Sequence, residues 1–290
     1  MKKKIMAIIL AAAAAIGLCG CNSSEKKDSD YINDKSESKV STDNSTGEKN
    51  DFDYIKDKGE LIIGITYFKP MNYIDDNTGE LTGFETEFAT SVCEKLGVKP
   101  KFQEIKWDNK VFELDAKTID VIWNGMTVKE DLAEKIIFST PYIRNRQVAV
   151  IKKTNADKYT DLASMANASV TAEIGSAGET AVQADENLKK NFNGCAAQKD
   201  VLMEIKAGTT EIGVIDYVMA KASVGDGTDY ADLMIVENVN LAPEEYAVGI
   251  RKGDVELQKK INAAIDEMVK DGSLKALCEK YDLADVYAFN

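Results

Sequence analysis

The chain has 290 residues, 44% hydrophobic and 29% charged, with a formal net charge of −13. That length allows one large or two medium domains with a sizeable core, and the acidic balance argues against a nucleic-acid partner. Histidine is absent, which excludes Ser-His-Asp and Cys-His nucleophiles and leaves no imidazole for a metal, so neither a metal site nor a cofactor is expected.

Lys2-Lys3-Lys4 followed by the apolar run from Ile5 to Leu18 reads as a signal peptide, residues 1–20, too short for an ordinary membrane-spanning helix. Leu18-Cys19-Gly20-Cys21 looks like a bacterial lipobox, which implies cleavage before Cys21 and lipidation of its thiol. The alternative is a plain secretory signal with an incidental Cys. Losing the first twenty residues removes three Lys and no acid, so 33 basic residues face 49 acidic ones and the net charge is near −16. Residues 21–51 read as a lipid-anchored disordered linker, because they hold too little apolar surface to offset chain entropy.

Folding is expected to begin near Phe52. Gly59 to Ile65 is a buried strand, and Thr66 to Met71 a loop that Pro70 stiffens. Asp75 to Gly79 is a polar turn. Phe84, Phe88, Ala89, Val92, Cys93 and Leu96 recur at helical spacing up to Gly97. Glu85, in the first turn of that helix, serves either the cleft or the helix dipole. Phe102 to Ile105 gives a strand and Trp107 to Ala116 a helix capped by Asp108, with Trp107 in the core. Ile119, Val121 and Ile122 form a short strand that ends in Trp123-Asn124-Gly125, where Gly125 lets backbone approach a ligand and Trp123 offers a cleft-facing platform. Thr127 then opens a helix, its spacing to Glu130 being that of a capping box, and the free N–H groups of that helix end would receive a carboxylate or phosphate.

Asn145 to Ile151 reads as a strand leading into a second unit. Ser169 to Glu173 is a strand, after which Gly175-Ser176-Ala177-Gly178-Glu179 opens a helix with a second capping box from Ser176 to Glu179. Ala196 to Gln198, the helix Asp200 to Ala207 and the strand Ile212 to Ile215 follow, placing Asp216 at a strand's carboxyl end, where open α/β sheets bind ligands. Asp216 could also cap the helix Tyr217 to Ala222, a role that can hold together with a ligand contact. Leu233 to Val236 is a strand, and Val255 to Lys270 and Ser273 to Tyr281 are helices. Cys93, Cys195 and Cys278 fall in apolar or small-residue patterns, as buried free thiols would, although a disulfide between two of them would leave one over.

Gly125-Met126-Thr127, the acidic and basic helix after it, and Phe138-Ser139-Thr140-Pro141-Tyr142 resemble extracytoplasmic solute-binding proteins for polar amino acids, family 3, from about Gly59 to Tyr281. The resemblance implies a periplasmic-binding-protein type II fold: α/β, two Rossmann-like lobes joined by two crossover strands. Residues 52–144 plus 242–290 would form lobe 1 and residues 145–241 lobe 2. It also implies that Phe68, two residues before Pro70, packs on the ligand side chain and that Asp216 binds its α-ammonium. The candidate ligand-binding residues are therefore Phe68, Trp123, Asn124, Gly125, Thr127, Ser176, Ala177 and Asp216. One departure is Leu132, which stands where the family usually has an Arg that clamps the ligand carboxylate. Unless Lys129, Arg144 or Arg146 substitutes, affinity for a free amino acid should fall by roughly one to two decades.

Together these features predict a monomeric, lipid-anchored substrate-binding component of an ABC importer. It would take an amino acid or related zwitterion, close on it, and present it to a membrane permease. Two other readings are a prearomatic-acid dehydratase-like enzyme, with Glu85 and Asp216 as its acids, and a sensory ligand-binding protein.

Overall fold

A computed structural model describes residues 50–289. The expected signal peptide, Cys21 and the linker up to residue 49 lie outside the described residues. The fold opens on a helix absent from the sequence reading, α1 (Asp51–Lys58). Asn50 and Asp53 cap its start reciprocally, acids lead and lysines close it, and Gly59 ends it at φ 74°. These are the local features that stabilise a short helix.

The first sheet begins with β1 (Glu60–Ile65). A small hairpin, β2 (Tyr73–Ile74) and β3 (Leu81–Thr82), leads to α2 (Phe84–Leu96), then β4 (Lys99–Glu104), a 3-10 turn at Trp107–Asn109 and α3 (Lys110–Asp115). The last part of this segment is β5 (Val121–Ile122), α4 (Glu130–Ala133) and β6 (Ile136–Phe138). The chain then leaves through β7 (Ile143–Lys152) for the second sheet. That lobe holds β8 (Val170–Glu173), α5 (Ala177–Ala184), β9 (Phe192–Cys195), α6 (Gln198–Ala207), β10 (Ile212–Asp216), α7 (Tyr217–Ser223) and the long return strand β11 (Leu233–Tyr246). Back in the first lobe come β12 (Gly249–Arg251), α8 (Val255–Lys270) and α9 (Ser273–Lys280).

The first sheet runs β4-β1-β5-β12-β6 and the second β11-β7-β10-β8-β9. β1 is parallel to both neighbours, and β8 is parallel to β9 and β10. β7, which carries the chain across, pairs antiparallel with both β10 and β11. The molecule is thus α/β, with two sheets joined by two extended segments, the start of β7 and the end of β11.

The largest apolar cluster runs through both lobes, from Phe88 and Trp123 to Val150 and Ile215, and smaller clusters lie on each side. In the first lobe, Phe88 lies edge-on to both Trp123 (5.1 Å) and Tyr142 (5.2 Å), and all three side chains are fully buried. Gly64 is tight against a separate cluster that includes Trp107, Leu114 and Ile119, since a Cβ there would come within 2.6 Å of Ile119 Cδ1. In the second lobe, β7, β8 and β10 bury Ala149, Ile151, Val170 and Val214 together. Cys93, Cys195 and Cys278 are buried free thiols.

Truncating Phe88 removes the ring on which Trp123 and Tyr142 both rest. Phe88→Ala is expected to lower unfolding stability by about 3–5 kcal/mol, measured by urea titration of the ligand-free protein.

Candidate functional site

The carboxyl ends of β1, β5, β8 and β10 converge on a narrow cleft between the sheets, lined by Thr66, Phe68, Trp107, Asn124, Gly125 and Thr127 from one side. Glu173, Ser176, Ala177, Gln198 and Asp216 line it from the other. Gly125 sits there at φ 54°, and a Cβ on it would strike the Phe68 ring at 2.5 Å, so only glycine lets that ring lie flat over the turn.

Asp216 is the most heavily bonded group of the cleft. Its Oδ1 accepts from Asn145 Nδ2 (2.7 Å), Gln147 Nε2 (2.8 Å) and Tyr246 OH (2.7 Å), while Oδ2 accepts from Gln198 Nε2. Asp216 does stand at the N-cap position of α7, but its side chain makes no cap bond there: the donors around it hold the carboxylate toward the cleft. Glu244 is woven into the same cluster, accepting from Asn145, from Gln147 (2.8 Å) and from Thr127 Oγ1 (2.9 Å). Burial, then the Asp216 charge, push the Glu244 carboxyl well above the usual range.

Across the cleft, Glu85 is fully buried and accepts the Gly125 N–H with both oxygens (2.9 and 2.8 Å) and the Tyr142 hydroxyl. Burial raises it to about 7. Glu173 ends β8 only 3% exposed, and burial, then the nearby Asp216 charge, raise it to about 8. Its Oε1 is buried with no hydrogen-bond partner. Lys110, the nearest cation, donates to Trp107 O (3.1 Å) and across the cleft to Gly175 O (2.9 Å), with its ammonium 4.6 Å from the Trp107 ring centre. Burial lowers Lys110 to about 8.

Phe68, Asn124, Gly125, Thr127, Ser176, Ala177 and Asp216 all line the cleft, and Trp123 does not. The indole of Trp123 is 0% exposed inside the Phe88–Tyr142 cluster. Besides Phe68, the aromatic at the cleft is Trp107, which is buried in a core cluster as expected and which the 3-10 turn after β4 also brings to the cavity wall.

The anion receptor expected at Thr127 is also corrected. The local helix, α4, starts only at Glu130, has four residues and lacks a side-chain cap. Thr127 instead bridges to Tyr246 in extended form and gives its hydroxyl to Glu244, while Glu85 already occupies the Gly125 N–H. The counterpart at α5 does form: Ser176 Oγ accepts the Glu179 N–H (3.1 Å), although the Glu179 carboxylate accepts from Gly175 N (2.7 Å) rather than from Ser176. The N–H groups of Ala177 and Gly178 precede the first intrahelical bond, from Thr180 to Ser176.

Leu132 packs against the cluster of Ile119, Met126 and Ile136, and among the described residues the cleft lining includes no Lys or Arg in place of that Arg. Lys129 bonds Thr180 (2.9 Å), Arg144 bonds Ala288 O (2.9 Å), and the Arg146 guanidinium stacks 3.8 Å over Tyr217. Thr66, Trp107, Glu173 and Gln198 are cleft residues that the sequence reading missed. Glu173 was within reach, because it closes a strand just as Asp216 does. Among the described residues no group of three or more His, Cys, Asp or Glu could hold a metal ion.

The family profile of bacterial extracellular solute-binding proteins, family 3, matches residues 61–284. The chain is 32% identical over 228 residues to the L-cystine-binding protein TcyJ of Escherichia coli (strain K12), covering 78% of this chain and 84% of that one. It is 27% identical over 254 residues to an L-arginine-binding protein of Pseudomonas aeruginosa, covering 79% and 90%. In three dimensions it resembles an ABC uptake transporter substrate binding protein from Streptococcus pneumoniae with bound histidine, at TM-score 0.76 and 31% identity, covering 83% of this chain and 99% of that one.

Glu85 and Glu173 are held above the carboxylate range, so the folded protein binds more protons than the unfolded chain once the pH passes about 4.5. Stability of the ligand-free protein is therefore expected to fall as pH rises from about 4.5 to about 8. Glu85→Gln, which keeps an acceptor for Gly125, should flatten the lower part of that slope in thermal unfolding scans.

Proposed function

The chain belongs to the bacterial extracellular solute-binding proteins, family 3, and from that premise we propose that it is the substrate-binding component of an ABC importer for an amino acid. The observation that carries the ligand class is the pairing of Asp216 with the start of α5 in one cleft. A carboxylate acceptor stands beside a capped helix end with two open N–H groups, an arrangement matched to a zwitterion. Oδ2 of Asp216 holds a single donor and so has capacity for an α-ammonium. The Ala177 and Gly178 N–H groups and the Ser176 hydroxyl would take the α-carboxylate, with Phe68 and Trp107 flanking the side chain and Asn124, Gly125 and Thr127 closing the floor.

Residues 52–144 with 242–290 would move as one lobe against residues 145–241, flexing where β7 begins and β11 ends. A ligand touching both would favour the closed arrangement, which a membrane permease then recognises. Cys21 would carry the lipid that tethers the protein outside the cell membrane; Cys21→Ala should release it to the medium, and the intact mass of the wild-type protein should show the added chains.

Calorimetry or thermal shift with the twenty L-amino acids is expected to find at least one binder. Asp216→Asn should weaken it about 10- to 100-fold, as expected for one charge-assisted bond of about 1.5–3 kcal/mol. No response from any of the twenty would overturn the amino-acid reading.

A further inference from the structure

Two carboxylates, Glu173 and Asp216, line the cleft, and its lining includes no Lys or Arg. Asp216 accepts from Asn145, Gln147, Tyr246 and Gln198. Glu173 is different. It is 3% exposed, it borders the same cavity, and its Oε1 is buried without a partner. Leaving a buried carboxylate oxygen bare is costly, so a donor brought by the ligand would be favoured at Oε1.

We propose that Glu173 selects a ligand with a second positive centre, so that the cleft prefers amino acids whose side chain ends in an ammonium or guanidinium. This deepens the reading of an α-amino acid held at Asp216 and rests on it. The charge balance favours it. With a basic ligand, the α-carboxylate, Asp216 and a deprotonated Glu173 meet two cations, whereas a neutral amino acid brings one ammonium and leaves Glu173 holding its proton in place of a charge partner. Lys110 does not fill the role. Its ammonium is committed to the carbonyls of Trp107 and Gly175, and no salt bridge joins it to Glu173 among the described residues. The aromatic faces of Phe68 and Trp107 line the same space and suit a cationic group better than a carboxylate.

The charged groups facing Glu173 are Asp216 at the end of β10, Lys110 on α3, Asp200 on α6 and Asp108 in the 3-10 turn. Three of these four are acids. Burial first, and then the Asp216 charge, hold the proton on Glu173 until a cation displaces it. Binding of a basic ligand should therefore release a proton and strengthen as pH rises from about 6.5 to about 8.5, the range around the raised value of about 8.

The test compares near-isosteric pairs by calorimetry on the mature wild-type protein: L-arginine against L-citrulline, and L-lysine against L-norleucine. The expected result is at least tenfold tighter binding of each basic member, a preference that grows with pH. Glu173→Gln, with folding checked by thermal unfolding, should bring each pair to within about threefold and abolish the proton release. Equal affinity within each pair in the wild type would overturn the role of Glu173 while leaving the amino-acid reading intact, as would an unchanged preference in Glu173→Gln. If no member of either pair binds but another amino acid does, the cationic preference alone is overturned. If no amino acid binds at all, the amino-acid reading falls with it.

Discussion

Asp216 has its carboxylate pinned by side chains from three separate pieces of chain: Asn145 and Gln147 on β7, Tyr246 at the end of β11, and Gln198 at the start of α6. β7 and β11 are the two strands that pass between the lobes, so the group best placed to hold a ligand is also bonded to both crossing strands. Four donors offset the desolvation of the charge that burial would otherwise forbid. Glu244 joins the same cluster and reaches the first lobe through Thr127. Any shift of the crossing segments must stretch bonds to Asp216, which couples the state of the cleft to the angle between the lobes.

The other polar ties between the lobes are contacts of single lysines. Among the described residues Lys110 reaches Gly175, Lys129 reaches Thr180, Lys221 reaches Asp285 (2.8 Å), and Lys69 lies 3.8 Å from Asp229. Hydrogen bonds of this kind contribute about 0.5–1.5 kcal/mol each, and an exposed ion pair contributes less. Against them stands the gathering of Glu173, Asp216 and Glu244, where burial first and the Asp216 charge second push the Glu173 and Glu244 carboxyls upward. Closure in the absence of ligand is therefore weakly held. A protein that must open to release its cargo needs that balance, because a cleft tightly shut on itself would leave binding energy nothing to do.

The sheet alternation was legible from apolar periodicity: α8 covers the range read from the sequence, and β1, β8, β10 and α2 fall within a residue or two of theirs. The misses have physical causes. In α1 only Phe52 and Ile55 pack on the core, a two-residue stripe at the edge of a polar linker that is too short to stand out as a helical period. Trp107 and Trp123 are both aromatic residues at the end of a strand-like run, and only the pleat and the following turn decide which points inward. The Thr127 cap failed because tertiary partners, the Tyr246 backbone and the Glu244 carboxyl, outcompete a helix only four residues long. That competition involves residues more than a hundred positions apart, beyond the reach of any local pattern.

The same competition shifts the balance of recognition between the lobes. With the Gly125 N–H given to Glu85 and the Thr127 hydroxyl to Glu244, the first lobe has few open donors in the cleft, and Leu132 leaves it without a guanidinium. Asp216, Glu173, Ser176 and the α5 amides all belong to the second lobe. On the proposed reading, a ligand would make its charged contacts there first, in the open arrangement. Closure would then add the faces of Phe68 and Trp107, apolar contacts that exclude water and strengthen the charged ones already formed. The division assigns ligand identity to the second lobe and the closed-state advantage to the first.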